Sequence, residues 1–473
     1  MPRACEPSPR SHACLTQKPG CTSKPPAVCA GGDFFRQTVF AEQRCDEFCN
    51  FCIAFSVTRI PTDTCKRFQR QRARGVKQNR KSWHFAALAG LVLGMTGCSS
   101  TPSLGSLKVE PSSYDASLQA AIEGVAREDA SIPGVIAAVS APRLGIEWRG
   151  ATGSLVRGGT EPLKPTDAFR IASVTKIYTA ATVIRLIESG AFGLYDRIEP
   201  LISEKTRAAL LSDGYDLPAL TVYHLLTHTS GLYDTSTSPE FAAAVTKDPM
   251  HRWTRDEQIA FAMTYGKPAA APGAAYNYSE SSYLVLAEII ERASGRSMED
   301  AITSLLGLAD HGLDETYFES LQPTPSGERR AHQYVGDVDA TGFDPSLDLF
   351  GGGGLVSTVS DLVGFIRPLM QGELFAGKST MAMALQIPPT KNNALAHAPL
   401  LAQTQFGQRR CWSHAGYWGV ELIYCPDIDV AVAISWGQAE PKANAWRSSL
   451  DKIAAVIEQA ERAKGSGNAA RAD

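Results

Sequence analysis

The stretch from Arg409 to Ser435 leaves the chain little choice of fold. Arg409-Arg410-Cys411-Trp412-Ser413-His414-Ala415-Gly416 reads as a strand and Tyr417-Trp418-Gly419 as a turn. Val420 to Cys425 is a second strand, Pro426-Asp427-Ile428-Asp429 a second turn, and Val430 to Ser435 a third strand. Connections this short join only antiparallel neighbours. Cys411 and Cys425 each stand seven residues from Trp418. They could face each other across the hairpin, as a disulfide or as two buried thiols. Far upstream, Val135 to Val139 and Gly145 to Trp148 read as a second hairpin, followed by a loop from Gly150 to Gly159. The expected fold is α/β: an antiparallel sheet built from both hairpin regions, with helices on both faces. A mainly helical lobe, about residues 180–350, is inserted between the halves.

Helical periodicity supports that layout. It runs from Tyr114 to Ala130, from the neighbourhood of Ser173 to Ile187, and mostly through Pro239 to Tyr265. Further helices are expected from Tyr283 to a stop at Gly295, over Met298–Leu306, Val359–Met370 and Trp446–Ala463. The remainder of 296–350 reads as loop, and 464–473 as a frayed tail. At 473 residues, 44% hydrophobic and 20% charged, the chain can bury a core. A net charge of -3 argues against a dedicated nucleic-acid binder. No internal repeat is apparent.

The first hundred residues are a different kind of sequence. Eight of the eleven cysteines precede residue 70, and Lys66 to Lys81 holds eight basic residues and no acidic one. The apolar run Phe85–Met95 follows and ends at Thr96-Gly97-Cys98. It is too short to span a bilayer comfortably and reads as an export signal. Met95-Thr96-Gly97-Cys98 resembles the bacterial lipobox, in which Cys98 would carry the lipid, and Ser99 resembles a signal for the outer membrane. A signal belongs at an N-terminus, so the biological start is expected downstream of Met1, with Val76 a candidate. The domain reading is then an upstream non-native or disordered segment (1–75), a lipoprotein signal (76–97), a tether (98–114), a catalytic domain (115–463) and the tail. The rival for the upstream segment is a metal module using Cys45, Cys49, Cys52 and Cys65, but only Cys49 and Cys52 have C-x-x-C spacing.

Chemistry concentrates at Phe169-Arg170-Ile171-Ala172-Ser173-Val174-Thr175-Lys176. If a helix starts at Ser173, the hydroxyl and the Lys176 amine share one face. A serine needs something to take its proton, and a partly neutral lysine can. The helix N-terminus favours an anion forming there. Read alone, S-x-x-K is also what an N-cap and an exposed lysine look like. His224 and His228 are four apart, but no Glu follows His224 as in the H-E-x-x-H zinc pattern, so a structural role is expected.

Several stretches in the right order resemble the penicillin-recognising serine hydrolases, the branch of D-alanyl-D-alanine carboxypeptidases, class C β-lactamases and related esterases. Phe169 to Lys176 resembles the nucleophile motif, and His224-Leu225-Leu226-Thr227-His228-Thr229-Ser230-Gly231-Leu232 a recurrent phrase. Pro272-Gly273 through Tyr278-Ser279 resembles the Tyr motif, Gly353 to Thr358 a loop beside it, and His414-Ala415-Gly416 the third motif. The resemblance implies a Ser173 acyl-enzyme, with Lys176 holding the local proton balance and Tyr278 relaying a proton to the leaving group. As a base, that phenol would have to be lowered by a cation, for which Lys176 is the candidate. The backbone N–H groups of Ser173 and Tyr417 would form the oxyanion hole, with Gly416 beside them, and His414 would help bind a substrate anion, weakly unless protonated. No cofactor and no metal are implied. The partners would be a small molecule or a peptidoglycan peptide, with the membrane reached through the lipid anchor on the periplasmic side.

One position departs from the pattern. The Tyr motif usually ends in Asn, and here the place is Glu280. A carboxylate has no donor when ionised. It could pair with Lys176 and work against a neutral base, select a cationic substrate group, or point away. Glu280 thus puts efficient β-lactam hydrolysis in doubt. It also keeps a rival reading open, a binding protein acylated at Ser173 with slow turnover, or a cell-wall module with none.

Overall fold

The computed structural model describes residues 114–394, 396–439 and 441–469. The signal-like run, Cys98 and the upstream cysteines lie outside them. Strands β1 (Gly134–Ala141), β2 (Ile146–Gly153), β3 (Ala402–Phe406), β4 (Arg409–Gly416), β5 (Val420–Cys425) and β6 (Val430–Ser435) form one sheet. Its order is β2-β1-β6-β5-β4-β3, antiparallel throughout. The two hairpin regions meet at the β1–β6 pairing, where Ala138 faces Ala433.

The runs in β1 and β6 look uniformly apolar because both faces of the sheet are covered. Alternate residues go to opposite sides. Ile136, Ala138, Ala431 and Ala433 belong to one core cluster. Val135, Ala137, Val139, Val432 and Ile434 belong to the other. The second cluster is closed by Leu118 and Ile122 from α1 (Asp115–Glu123) and by Ile453 and Ile457 from the C-terminal helix. The first is shared with the helices of the middle of the chain.

Central among these is α2 (Thr175–Glu188), buried without interruption from Thr175 to Ile184. Its Ile and Val side chains face the core all round, and full burial of each is worth roughly 1.5–3 kcal/mol, while Lys176 and the threonines are buried with hydrogen-bond partners. It lies against α3 (Glu280–Ser294). Tyr178 stacks on Phe365 of α4 (Val359–Met370), with ring centroids 3.7 Å apart. The last helix, α5, spans Ala443–Ala469.

The differences from the sequence reading have physical causes. The first helix breaks at Gly124 into Asp115–Glu123 and Val125–Glu128. Gly150 and Gly153, read as loop, continue the β1–β2 ladder opposite Ala137 and Gly134. A Cβ on Gly150 would collide with the Trp148 ring, so this glycine serves close packing. Pro239–Tyr265 is two helices, Pro239–Lys247 and Arg255–Tyr265, the second opened by a capping box between Thr254 and Glu257. Helix α5 continues past 464 to Ala469, and Lys464 Nζ is tied to the Arg143 carbonyl. The edge strand β3 and the helix Lys378–Ala384 carried no signal strong enough to read. Cys411 and Cys425 are joined as a disulfide across the β4–β5 hairpin. Among the described residues, no helix is long and apolar enough to cross a membrane.

Candidate active site

Helix α2 begins at Thr175, two residues later than the sequence suggests. Ser173 lies in a preceding 3₁₀ turn, Ala172–Val174. The bend is sharp, and Ala172 takes a left-handed φ of 46°, a costly conformation for a residue with a Cβ. The turn lifts the Ser173 hydroxyl off the helix while keeping Lys176 one turn away.

Lys176 Nζ donates to Ser173 Oγ at 3.1 Å, to Glu280 Oε2 at 2.5 Å and to the Gly352 carbonyl at 2.7 Å. The amine is fully buried and these three bonds satisfy all its protons. Glu280 opens α3, where a carboxylate also suits the helix dipole, and Ser279 caps the same helix through Ser282 N at 3.1 Å. Of the three readings for Glu280, the geometry realises pairing with Lys176. A Cβ on Gly352 would collide with Glu280 Oε1, and one on Gly353 with Asp348 Oδ1, so the glycine run is what lets the backbone close around both carboxylates.

Tyr278 reaches the serine from a separate segment, its OH donating to Ser173 Oγ at 2.9 Å. His228 holds that segment. Its carbonyl accepts from Asn277 N at 2.8 Å, its Nδ1 accepts from Ser279 N at 3.1 Å, and its ring stacks on Tyr278 with centroids 4.3 Å apart. To do this His228 adopts a φ of 54°. His224 instead closes a capping box with Thr221. The two histidines therefore do not share a helical face. Burial, with His397 and Lys176 nearby, keeps the His228 ring well below its usual pKa, as an acceptor at Nδ1 requires.

The phenol of Tyr278 is pushed well above its ordinary range, first by burial and then by the Glu280 charge. Lys176 is the cation expected from the sequence to lower it, and the opposite holds. With Glu280 2.5 Å from that amine, the cation is already neutralised by a carboxylate. The resting phenol is thus a neutral hydrogen-bond donor.

Gly416 packs so closely on the turn that a Cβ would collide with the Ile171 carbonyl. The backbone amides expected to form the oxyanion hole, those of Ser173 and Tyr417, therefore stand on adjoining segments. Gln333 fastens these pieces together: its Oε1 accepts from Arg170 N at 2.8 Å and its Nε2 donates to Arg170 O at 2.9 Å and Trp418 O at 3.3 Å. His414 is buried on β4 with Nδ1 2.8 Å from the Ala415 carbonyl. Burial, then His397 and Lys176, push it down to about 3, so its ring offers a hydrogen bond and no charge near neutral pH.

Ser173 opens on a pocket of about 80 Å³ between the helical lobe and the Tyr417–Gly419 turn. Phe241, Val245, Phe343, Leu347, Tyr417 and Trp418 line it. Glu280 and Asp348 also line it. Asp348 belongs to no motif in the sequence: it closes a short 3₁₀ turn, Pro345–Asp348, and only the fold shows what it faces.

A serine at a helix mouth, bonded to a buried lysine and to a tyrosine from elsewhere on an antiparallel α/β scaffold, is the arrangement that nucleophilic catalysis by a hydroxyl needs. The chain belongs to the beta-lactamase family, whose model matches residues 119–453. It is 30% identical over 248 residues to a penicillin-binding protein of Bacillus subtilis, covering 49% of this chain and 51% of that one. It is 27% identical over 210 residues to the D-alanyl-D-alanine-carboxypeptidase/endopeptidase AmpH of Escherichia coli (44% and 50%). Esterase EstB of Burkholderia gladioli is 30% identical over 228 residues (46% and 56%). The chain thus spans about half the length of the curated relatives it matches. Among solved structures, D-amino acid amidase from Ochrobactrum anthropi shares the fold, with a TM-score of 0.62 at 22% identity over 74% of this chain and 99% of that one.

Proposed function

We propose that the chain is an exported serine hydrolase that cleaves small amides or esters, D-Ala peptides among them, through an acyl-enzyme on Ser173. One observation carries this reading: Lys176 Nζ and Tyr278 OH both lie within hydrogen-bond reach of Ser173 Oγ in the wall of an apolar pocket. Lys176 passes one proton to Glu280 and takes the Ser173 proton as Oγ bonds the substrate carbonyl carbon. The Ser173 and Tyr417 amides receive the oxyanion. Neutral Tyr278 gives its proton to the leaving nitrogen or oxygen as that bond breaks. The Lys176 ammonium restores the phenol, and Glu280 returns its proton to Lys176. Water then attacks the ester, its proton leaves by the same route, and Ser173 Oγ recovers one.

A panel of nitrocefin, a p-nitrophenyl ester and an acyl-D-Ala-D-Ala peptide tests this, and turnover of at least one is expected. The Glu280–Lys176 ion pair favours a second reading, because it opposes a neutral lysine. Stoichiometric labelling by a fluorescent penicillin, with no member of the panel turned over, would support that slow receptor and contradict the hydrolase.

Export with lipidation at Cys98 is supported by the basic Lys66–Lys81 run and the apolar Phe85–Met95 run before it. Ser99 supports the outer membrane as destination. Palmitate label should enter the native chain and be lost in Cys98→Ala. A native product retaining residues 1–75 without label would contradict this.

A further inference from the structure

Two carboxylates, Glu280 and Asp348, line the pocket that holds Ser173. Glu280 is 7% exposed, and its two oxygens differ. Oε2 is taken by Lys176, whereas Oε1 is buried with no hydrogen-bond partner among the described residues. Asp348 Oδ2 accepts from the Trp418 indole N–H at 3.2 Å. The cations facing this pair are Lys176 and Arg170. Arg170 is engaged elsewhere, by Glu319 at 2.6 Å and by the carbonyls of Ala340 and Phe343 at 3.1 and 2.8 Å. Two acidic groups therefore stand together with one bonded cation, Lys176 on Glu280, in a pocket whose other walls are mainly apolar. A buried carboxylate oxygen left unpaired is costly, and a cationic ligand group offsets that cost.

We propose that Glu280 and Asp348 form a subsite for a substrate ammonium group, so that the enzyme prefers amides or esters of amino acids with a free α-amine and an aliphatic or aromatic side chain. This rests on the hydrolase reading above. The spacing suits it. Lys176 Nζ bonds both Ser173 Oγ and Glu280 Oε2, so the Glu280 carboxylate is one nitrogen away from the attacking oxygen. An α-amine is separated from the attacked carbonyl carbon by a single carbon. Phe241, Val245, Phe343, Leu347 and Trp418 would take the side chain. Glu280, where Asn is usual in the family, thus gains a binding purpose besides its place next to Lys176.

The test compares phenylalanine p-nitroanilide, in both enantiomers, with its N-acetyl form on the intact chain. The free-amine substrate is expected to have a kcat/KM at least about 10-fold higher, and Asp348→Asn should bring that ratio down toward one. Equal or better turnover of the N-acetyl form would overturn the proposal. A second measurement needs no variant: phenethylamine should compete with p-nitrophenyl ester hydrolysis, and phenethyl alcohol should not. Its inhibition should tighten from about pH 6 to about pH 8, because burial and the Glu280 charge push Asp348 up to about 7, where it gains its own charge. An ester that is hydrolysed without any effect of the amine sinks the subsite alone. If neither the ester nor any other member of the panel is hydrolysed, both readings fail.

Discussion

Ser173→Ala is expected to lower kcat/KM by about 10⁴-fold or more on whichever panel substrate the wild type turns over. The variant removes only an oxygen. Lys176 keeps its bonds to Glu280 and to the Gly352 carbonyl, and Tyr278 remains stacked on His228. Stability should fall by about 1–3 kcal/mol, because Tyr278 OH and one Lys176 proton lose their shared acceptor. Lost activity in a protein that still melts cooperatively assigns the loss to chemistry. Turnover that persists undiminished would mean that another nucleophile or a water does the work.

The second large effect concerns Lys176, and it joins folding to catalysis. Lys176→Met should cost about 3–5 kcal/mol in urea denaturation, because it strands Glu280 in a buried site without its cation. It should also lower kcat by about 10²–10⁴-fold, since the base next to Ser173 is gone. The double variant Lys176→Met with Glu280→Gln separates the two. With both charges removed, most of the lost stability should return while the rate stays low. A single variant as stable as the wild type would show that the pair is not closed in solution. A double variant with restored rate would show that the amine has no part in proton transfer.

What the sequence disclosed, and what it did not, follows the range of the interactions involved. The sheet was legible because β4, β5 and β6 are short strand-like runs joined by short turns. Ser173 and Lys176 were legible as near neighbours, and Tyr278 through its motif. Long-range approach was not. The 3₁₀ turn at Ser173 depends on a left-handed Ala172 and on Gly416 packing over Ile171, both fixed by tertiary contact. Asp348 and the Gly352–Gly353 backbone acquire meaning only beside Glu280. The charge state of Tyr278 likewise followed from where Lys176 places its proton, which spacing alone left open. Strand β3 is an edge strand, half exposed and short, with too weak a pattern to stand out.

The most direct measurement is peptide mapping of the intact protein by mass spectrometry after a brief exposure to a p-nitrophenyl ester or a fluorescent penicillin, quenched in acid. The acyl mass should sit on the peptide carrying Ser173, in at most one copy per chain, and should be missing from Ser173→Ala treated alike. Hydrolysis that proceeds while that peptide never gains mass, or an adduct found on a different residue, would contradict the account.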